Sequence, residues 1–498
     1  MQGGQSMRRE MWVAVLSALA VSQVALAAVL RVPQEYATIQ AAVDKAAGGD
    51  TVVIAAGTYQ GAGNYDIEIR KAITICSVEP GDPCTVAATI IDCGGQGRAF
   101  RFRGERSSRA VLASLTITGG RAVDGSGIYI VQSSPTITRC RILRNGSSGE
   151  GPQRTEGGPQ NGGGIYLRES NATISYCLIA DNEAQDHGGG ICCYGATPTI
   201  ANCTIVNNRV RNEGGGISIL PGSDPVIRRC RITGNAATFR RGGGIACRSS
   251  HAEVANCIIA GNQAGEGDGG GGLWLYRSTV AISNCTLTGN TTESFGGGIY
   301  ADVCDILIEN SIIWGNSSLP SPRPNEVVVR QRGQGDEIAI HSWQGRYEGV
   351  VPEPNLAPQA NSYLTISYTD LRGGRKAVYI FGAPGWLQLV WGRGNLQADP
   401  LLANAAGGDY HLQSQAGRWD PGRRVWMEDN ATSPCIDAGD PLLPAGEEPI
   451  PNGGIINLGA YGGTVEASKS HAQGPAVEAV GAGDLHNGLL PSGFPTVQ

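Results

Sequence analysis

Tyrosine, tryptophan and arginine recur along this chain at a fixed distance from blocks of glycine, and they are the residues best equipped for recognition chemistry. Take as reference the first apolar residue after each block: Ile128, Ile165, Ile191, Ile217, Ile245, Leu273 and Ile299. The next position then holds Tyr129, Tyr166, Cys192, Ser218, Ala246, Trp274 and Tyr300, and two residues further stand Val131, Arg168, Tyr194, Leu220, Arg248, Tyr276 and Asp302. Aromatic faces stack on the C–H face of a pyranose, and guanidinium groups pair with a uronate or sulfate. Tyr129, Tyr166, Arg168, Tyr194, Arg248, Trp274, Tyr276 and Tyr300 are therefore the candidate glycan-binding residues. The competing reading is structural, because Tyr and Trp favour strands and ladder well on exposed sheets. Asp302 and Asp305, within two repeats of Arg248, are the candidates for general acid or base work. His187 and His251 fall on loop or edge positions in different rows, so no histidine-centred pair is expected.

These rows exist only if the repeats stack. Each glycine block is followed by a second segment whose Cys recurs at Cys140, Cys177, Cys203, Cys230, Cys257 and Cys285, with Ser311 in the seventh copy. Five residues after each stands an asparagine: Asn145, Asn182, Asn208, Asn235, Asn262, Asn290 and Asn316. Every unit, about 27 residues long, carries two short alternating apolar runs bounded by Gly and Asn, with no helical period. Such a unit cannot bury its own face, so it must stack coil on coil, with parallel strands about 4.8 Å apart and like residues in ladders. The fold class expected is all-β: a right-handed parallel β-helix solenoid. Asn suits left-handed corners and amide ladders, and Gly suits the other corner.

Composition excludes several other classes. Gly supplies 74 of 498 residues, charged residues 16% and aromatics 6%, which rules out a coiled coil or helical bundle. With 41% apolar residues and a net charge of -6 the chain can fold, and it has no basic run to hold nucleic acid or an anionic membrane. Of the 14 Cys, six take one inward position per coil and read as a buried thiol stack. No CxxC pair is present and one ligand per coil cannot surround zinc, so no metal is expected. Cys84 and Cys93 are close enough in sequence to pair as a disulfide. Arg8 and Arg9 precede an apolar stretch from Met11 to Leu26 that closes on Ala25-Leu26-Ala27, which reads as a signal peptide over residues 1–27. Removal of that segment leaves no integral membrane segment.

The ends carry the residues of a resemblance. Residues 38–59, TIQAAVDKAAGGDTVVIAAGTY, begin with an amphipathic helical stretch and a Thr38 cap. They resemble the N-terminal cap and first coil of the right-handed β-helix, pectin-lyase-like superfamily. The Gly-Gly-Gly-Ile and Asn repeats are similar to those of exported polymorphic outer-membrane-type proteins. Asp409-Tyr410-His411-Leu412, Ser433-Pro434-Cys435-Ile436-Asp437-Ala438-Gly439-Asp440 and Leu458-Gly459-Ala460-Tyr461 look like the closing module of large exported bacterial β-helix proteins. The organisation expected is a cap and first coils over 28–125, regular repeats over 126–317, late coils with insertions over 318–410, an irregular closing module over 411–465 and a disordered tail over 466–498. Trp343, Trp386, Trp391, Trp419 and Trp426 are expected to plug the C-terminal end.

The superfamily includes lyases, hydrolases, esterases and adhesins, and the resemblance implies carbohydrate without fixing the activity. The Asn-Thr-Asp and Asp-Asp motifs of polygalacturonase-like enzymes are missing, and Gln185-Asp186 has no Asp-Phe partner for pectinesterase-like chemistry. No aspartate cluster accompanies the arginines to hold the calcium that a pectate-lyase-like enzyme uses. The expectation is a secreted or surface-attached monomer that binds a polysaccharide or cell-envelope component, with no cofactor. A polysaccharide lyase or glycoside hydrolase acting on acidic polysaccharide is the alternative, calcium entering only for a lyase. A structural, adhesin-like spacer that binds protein is the third reading.

Overall fold

The computed structural model describes residues 27–146, 160–318, 338–342, 362–382 and 387–471. Nearly all of the signal segment, Trp343, Trp386 and most of the tail lie outside the described residues. The short apolar runs form three long parallel sheets of 13, 11 and 11 strands that wind round one elongated core. The coil that begins at Ile165 shows the plan: Ile165–Arg168 in the Gly-block sheet, Thr173–Ser175 in the first sheet and Leu178–Ala180 in the third. Glu183–Ala184 then joins a short six-stranded ladder that leads to the next glycine block. The N-terminal helix is Ile39–Lys45; the Thr38 hydroxyl accepts from the Ala41 amide, and Ile39, Ala42 and Val43 are buried under it.

Register is set at the corners. Each buried asparagine donates from Nδ2 to Oδ1 of the asparagine one coil on, at 2.8–3.0 Å, from Asn145 to Asn316. The same Nδ2 also meets a carbonyl of the coil before, as Asn208 does with Ile179 O at 2.9 Å. These asparagines do not take the left-handed backbone expected of them. That conformation falls on the residue before each, where Asp181 and Asn207 have φ 55° and Gly234 has φ 65°, and on the residue before each Cys, as in Tyr176 and Asn202 at φ 54°. The ladder asparagine is left free to serve as a hydrogen-bonding spine. In the glycine blocks the limit is space: a Cβ on Gly190 would stand 2.6 Å from Gly216 O on the next coil.

The six repeat cysteines are buried, each donating its thiol to a backbone carbonyl, as from Cys177 to Ser175 O at 3.3 Å. Burial pushes the inward Cys193 and Cys247 thiols up to about 12, so both stay protonated. Cys84 and Cys93 are not joined: both are free thiols, Cys84 exposed on the helix Pro83–Ala88 and Cys93 buried. The closing module lies back against the third sheet. Arg231 Nη1 reaches Gly408 O at 2.9 Å, Asn256 Nδ2 reaches Gly462 O at 2.8 Å, and the Asp440 amide meets Asn310 Oδ1 at 2.7 Å. Of the tryptophans expected to plug the end, Trp391 packs against the core, whereas Trp419 and Trp426 pair with each other across the hairpin Arg418–Asp420/Val425–Met427.

Asn208→Ala removes the acceptor of the buried Asn182 amide and orphans a carbonyl on the coil before. It is expected to lower stability by about 2–4 kcal/mol, measured from the denaturant midpoint, while Asn207→Gly, at a left-handed position, changes it little.

Candidate functional site

The Gly-block sheet pairs Tyr129 with Tyr166, Tyr166 with Cys192, Cys192 with Ser218, Ser218 with Ala246, Ala246 with Trp274 and Trp274 with Tyr300, so the first row lines up through seven coils. Three of its four rings, however, do not face solvent, and Tyr129 is half-buried. Tyr166 and Tyr300 are 6% exposed and Trp274 is fully buried. The cover comes partly from long cationic side chains: the Arg98 guanidinium lies 4.6 Å over the Tyr129 ring and that of Arg241 lies 4.8 Å over Trp274. Tyr166, Trp274 and Tyr300 therefore offer no stacking face to a sugar. They seat the layer above them.

The second row is the more open one, apart from the buried Leu220. Tyr194 is exposed, Arg168 keeps half of its side chain in solvent, and Arg248 and Tyr276 are half-buried. The Arg168 guanidinium stands 5.6 Å over the Tyr194 ring. Tyr276 stacks at 5.8 Å on Trp274 of the first row, which holds its ring in place.

On the N-terminal side of the glycine blocks, across them from the two rows, runs a ladder that the spacing did not reveal. The residue before each block, Asp124, Asn161, His187, Glu213 and Arg241, bridges to its equivalent on the next coil. Five different residue types hide the period, although all five are polar at the same distance before the apolar reference residue. His187, Glu213 and Arg248 meet here from three consecutive coils, with His187 Nδ1 at 3.5 Å and Arg248 Nη1 at 3.7 Å from Glu213 Oε2. Burial depresses the His187 pKa, with Arg248 and Arg240 acting the same way against Glu213 and Asp186, so the imidazole is neutral at neutral pH. Glu213 is 4% exposed, and its Oε2, Ser218 Oγ, Arg248 Nε and Trp274 Nε1 are buried without a hydrogen-bond partner among the described residues.

The catalytic candidates are not gathered into one site. Asp302 closes a Gly-block strand, whereas Asp305 opens the strand Asp305–Glu309 in the first sheet, and Arg248 forms its ion pair with Glu213. His251 is exposed in the first sheet, away from the His187 ladder. A recess of about 340 Å³ lies under the closing module, where Arg229 and Glu447 pair at 3.6 Å. Among the described residues no group of three or more His, Cys, Asp and Glu could hold a metal, and no helix is long and apolar enough to cross a membrane.

Comparison with known proteins decides the family. The model of the right handed beta helix region matches residues 84–209 and 163–335, which together span half of the chain. The chain belongs to the right-handed β-helix family. A second model, described as disaggregatase related, matches residues 379–439. No curated protein sequence matches this chain. Among solved structures, this β-helix protein is similar to the pectate lyase Pel9A at 12% identity and TM-score 0.37, over 87% of this chain and 96% of that one. It is similar to the PL6 family alginate lyase AlyGC at 12% identity and TM-score 0.41, over 82% and 57% of the two chains. The Dettilon tailspike protein follows at 14% identity and TM-score 0.36, over 71% and 68%.

The two outward rows of this β-helix protein thus divide the labour between support and exposure. Trp274→Ala is expected to cost about 3–5 kcal/mol of stability and Tyr194→Ala less than about 1 kcal/mol. The comparison of denaturant midpoints checks both.

Proposed function

We propose that this β-helix protein is an exported module that binds a polysaccharide or cell-envelope glycan along the outward face of the Gly-block sheet. The observation that carries the reading is the second row, in which Arg168 and Tyr194 stand outward on adjoining coils and Arg248 and Tyr276 on two more, the buried Leu220 separating the pairs, beside the His187–Glu213 ladder. A linear polymer laid along the solenoid axis meets these side chains in sequence, with stacking surfaces and hydrogen-bond donors alternating beneath it. The rings are held in advance by Trp274 and by the Arg168 guanidinium, so little ordering remains to oppose binding. The residue 1–27 segment supports export, since its small residues at Ala25 and Ala27 suit cleavage after Ala27.

Retention of the mature chain on immobilised polysaccharides tests the reading. Tyr194→Ala with Tyr276→Ala is expected to weaken retention about tenfold or more, the equivalent of about 1.4 kcal/mol, at unchanged melting temperature. Equal retention of the double variant, or no retention of the parent chain on any polymer, overturns it.

A further inference from the structure

The left-handed corner between the first and third sheets puts one residue of each coil into a row: Arg139, Tyr176, Asn202, Arg229, Asn256, Asn284 and Asn310, all with φ between 49° and 54°. The closing module hangs on the C-terminal part of that row by its main chain. Asn256 Nδ2 donates to the carbonyls of Ala460 and Gly462 at 3.2 and 2.8 Å, Asn284 Nδ2 donates to that of Asn457 at 3.5 Å, and Asn310 Oδ1 accepts from the Asp440 amide at 2.7 Å. Beside these asparagines the outward third-sheet residues Ile258 and Ala260 are buried against Tyr410 and Ala460.

The interface stops where Glu447 meets Arg229 and Gly408 meets Arg231, but the row runs on. Asn202 carries the same amide at the same corner and makes no side-chain hydrogen bond among the described residues. It opens on the recess of about 340 Å³, whose far wall is formed by Glu447, Tyr461, Thr464 and Glu466. Tyr176 follows, 58% exposed, with the Arg139 guanidinium 5.5 Å over its ring. On the third sheet Thr204 and Leu178 continue the outward line of Ile258 and are only half-buried. The kind of surface that seats the closing module therefore continues into solvent for three further coils.

The chemistry of an occupant follows from the part already occupied. A side-chain amide both donates and accepts, which suits a main chain that offers an N–H and a C=O at every residue. Asn256 and Asn310 use it in this way, one on carbonyls and one on an N–H. Charge is set by the arginines. Arg229 meets a carboxylate of the module, whereas Arg139 and Arg141 have none within ion-pair distance among the described residues. From Asn202 to Arg139 is two coil spacings, about 10 Å, a span of about three extended residues.

We infer that Asn202, Tyr176 and Arg139 form a docking site for an extended, acidic polypeptide segment of a partner protein, which prolongs along the solenoid the interface that the closing module makes. Asn202 bonds the main chain of the segment, Tyr176 and Leu178 pack under its side chains, and Arg139 pairs with its carboxylate. The site lies away from the Gly-block sheet and stands independently of the glycan reading.

Selection of random dodecapeptides from a display library on the immobilised mature chain tests the inference. The enriched peptides are expected to carry Asp or Glu. Made synthetically, each is expected to bind the parent at least tenfold more tightly than it binds Asn202→Gly, which keeps the left-handed corner without the amide, or Arg139→Glu, which reverses the charge. Melting curves of the variants verify the fold. A selection that enriches no peptide overturns the inference, as do enriched peptides that are basic or that bind both variants like the parent. Tyr176→Gly separates the other occupants. If the parent self-associates in sedimentation and this variant does not, the occupant is a second copy; if only this variant loses retention on polysaccharide, the occupant is a glycan. Either result overturns the polypeptide.

Discussion

Buried amides that must meet their own kind one coil away set the terms for the rest of this molecule. An Asn Nδ2 inside the coil has no water to turn to, and its best partners are the Oδ1 of the next asparagine and a carbonyl of the coil before. A coil longer or shorter along its sheets would break that chain of bonds, so length is absorbed where no ladder passes. The same constraint creates the functional surface. Once the asparagines and the glycine blocks fix the register, residues at equivalent positions are carried into rows about 4.8 Å apart, and a side chain acquires its neighbours from other coils.

The parts of the fold legible in the sequence were those in which one residue type repeats. Ile, Cys, Asn and the glycine blocks recur in nearly every coil, and their inward rows, the Thr38-capped helix and the outward register all follow from spacing. Burial of the first outward row was not legible, because it depends on long arginines such as Arg98 and Arg241 folding over rings one or more coils away. The His187–Glu213 ladder escaped for the opposite reason: its five polar residues share a position without sharing a type, and only polarity at that position betrays it. Cys84 and Cys93 show a third limit, since nearness in sequence says nothing about a helix that turns one thiol outward and a core that keeps the other.

Charge and aromatic character on the Gly-block face are layered. Tyr129 and Trp274 lie under guanidinium groups, which are tethered in turn by Asp66 and Asp268, so the inner row lends rigidity and the outer row lends contact. The closing module makes its hydrogen bonds to the coils on the third sheet, at Arg231, Asn256 and Asn310.

The most direct measurement is the crystal structure of the mature chain with an oligosaccharide from whichever polymer retains it. The account predicts sugar rings against Tyr194 or Tyr276 in the second outward row. Sugar lodged instead in the recess beneath the closing module, beside Arg229 and Tyr461 and away from the second outward row, would contradict it.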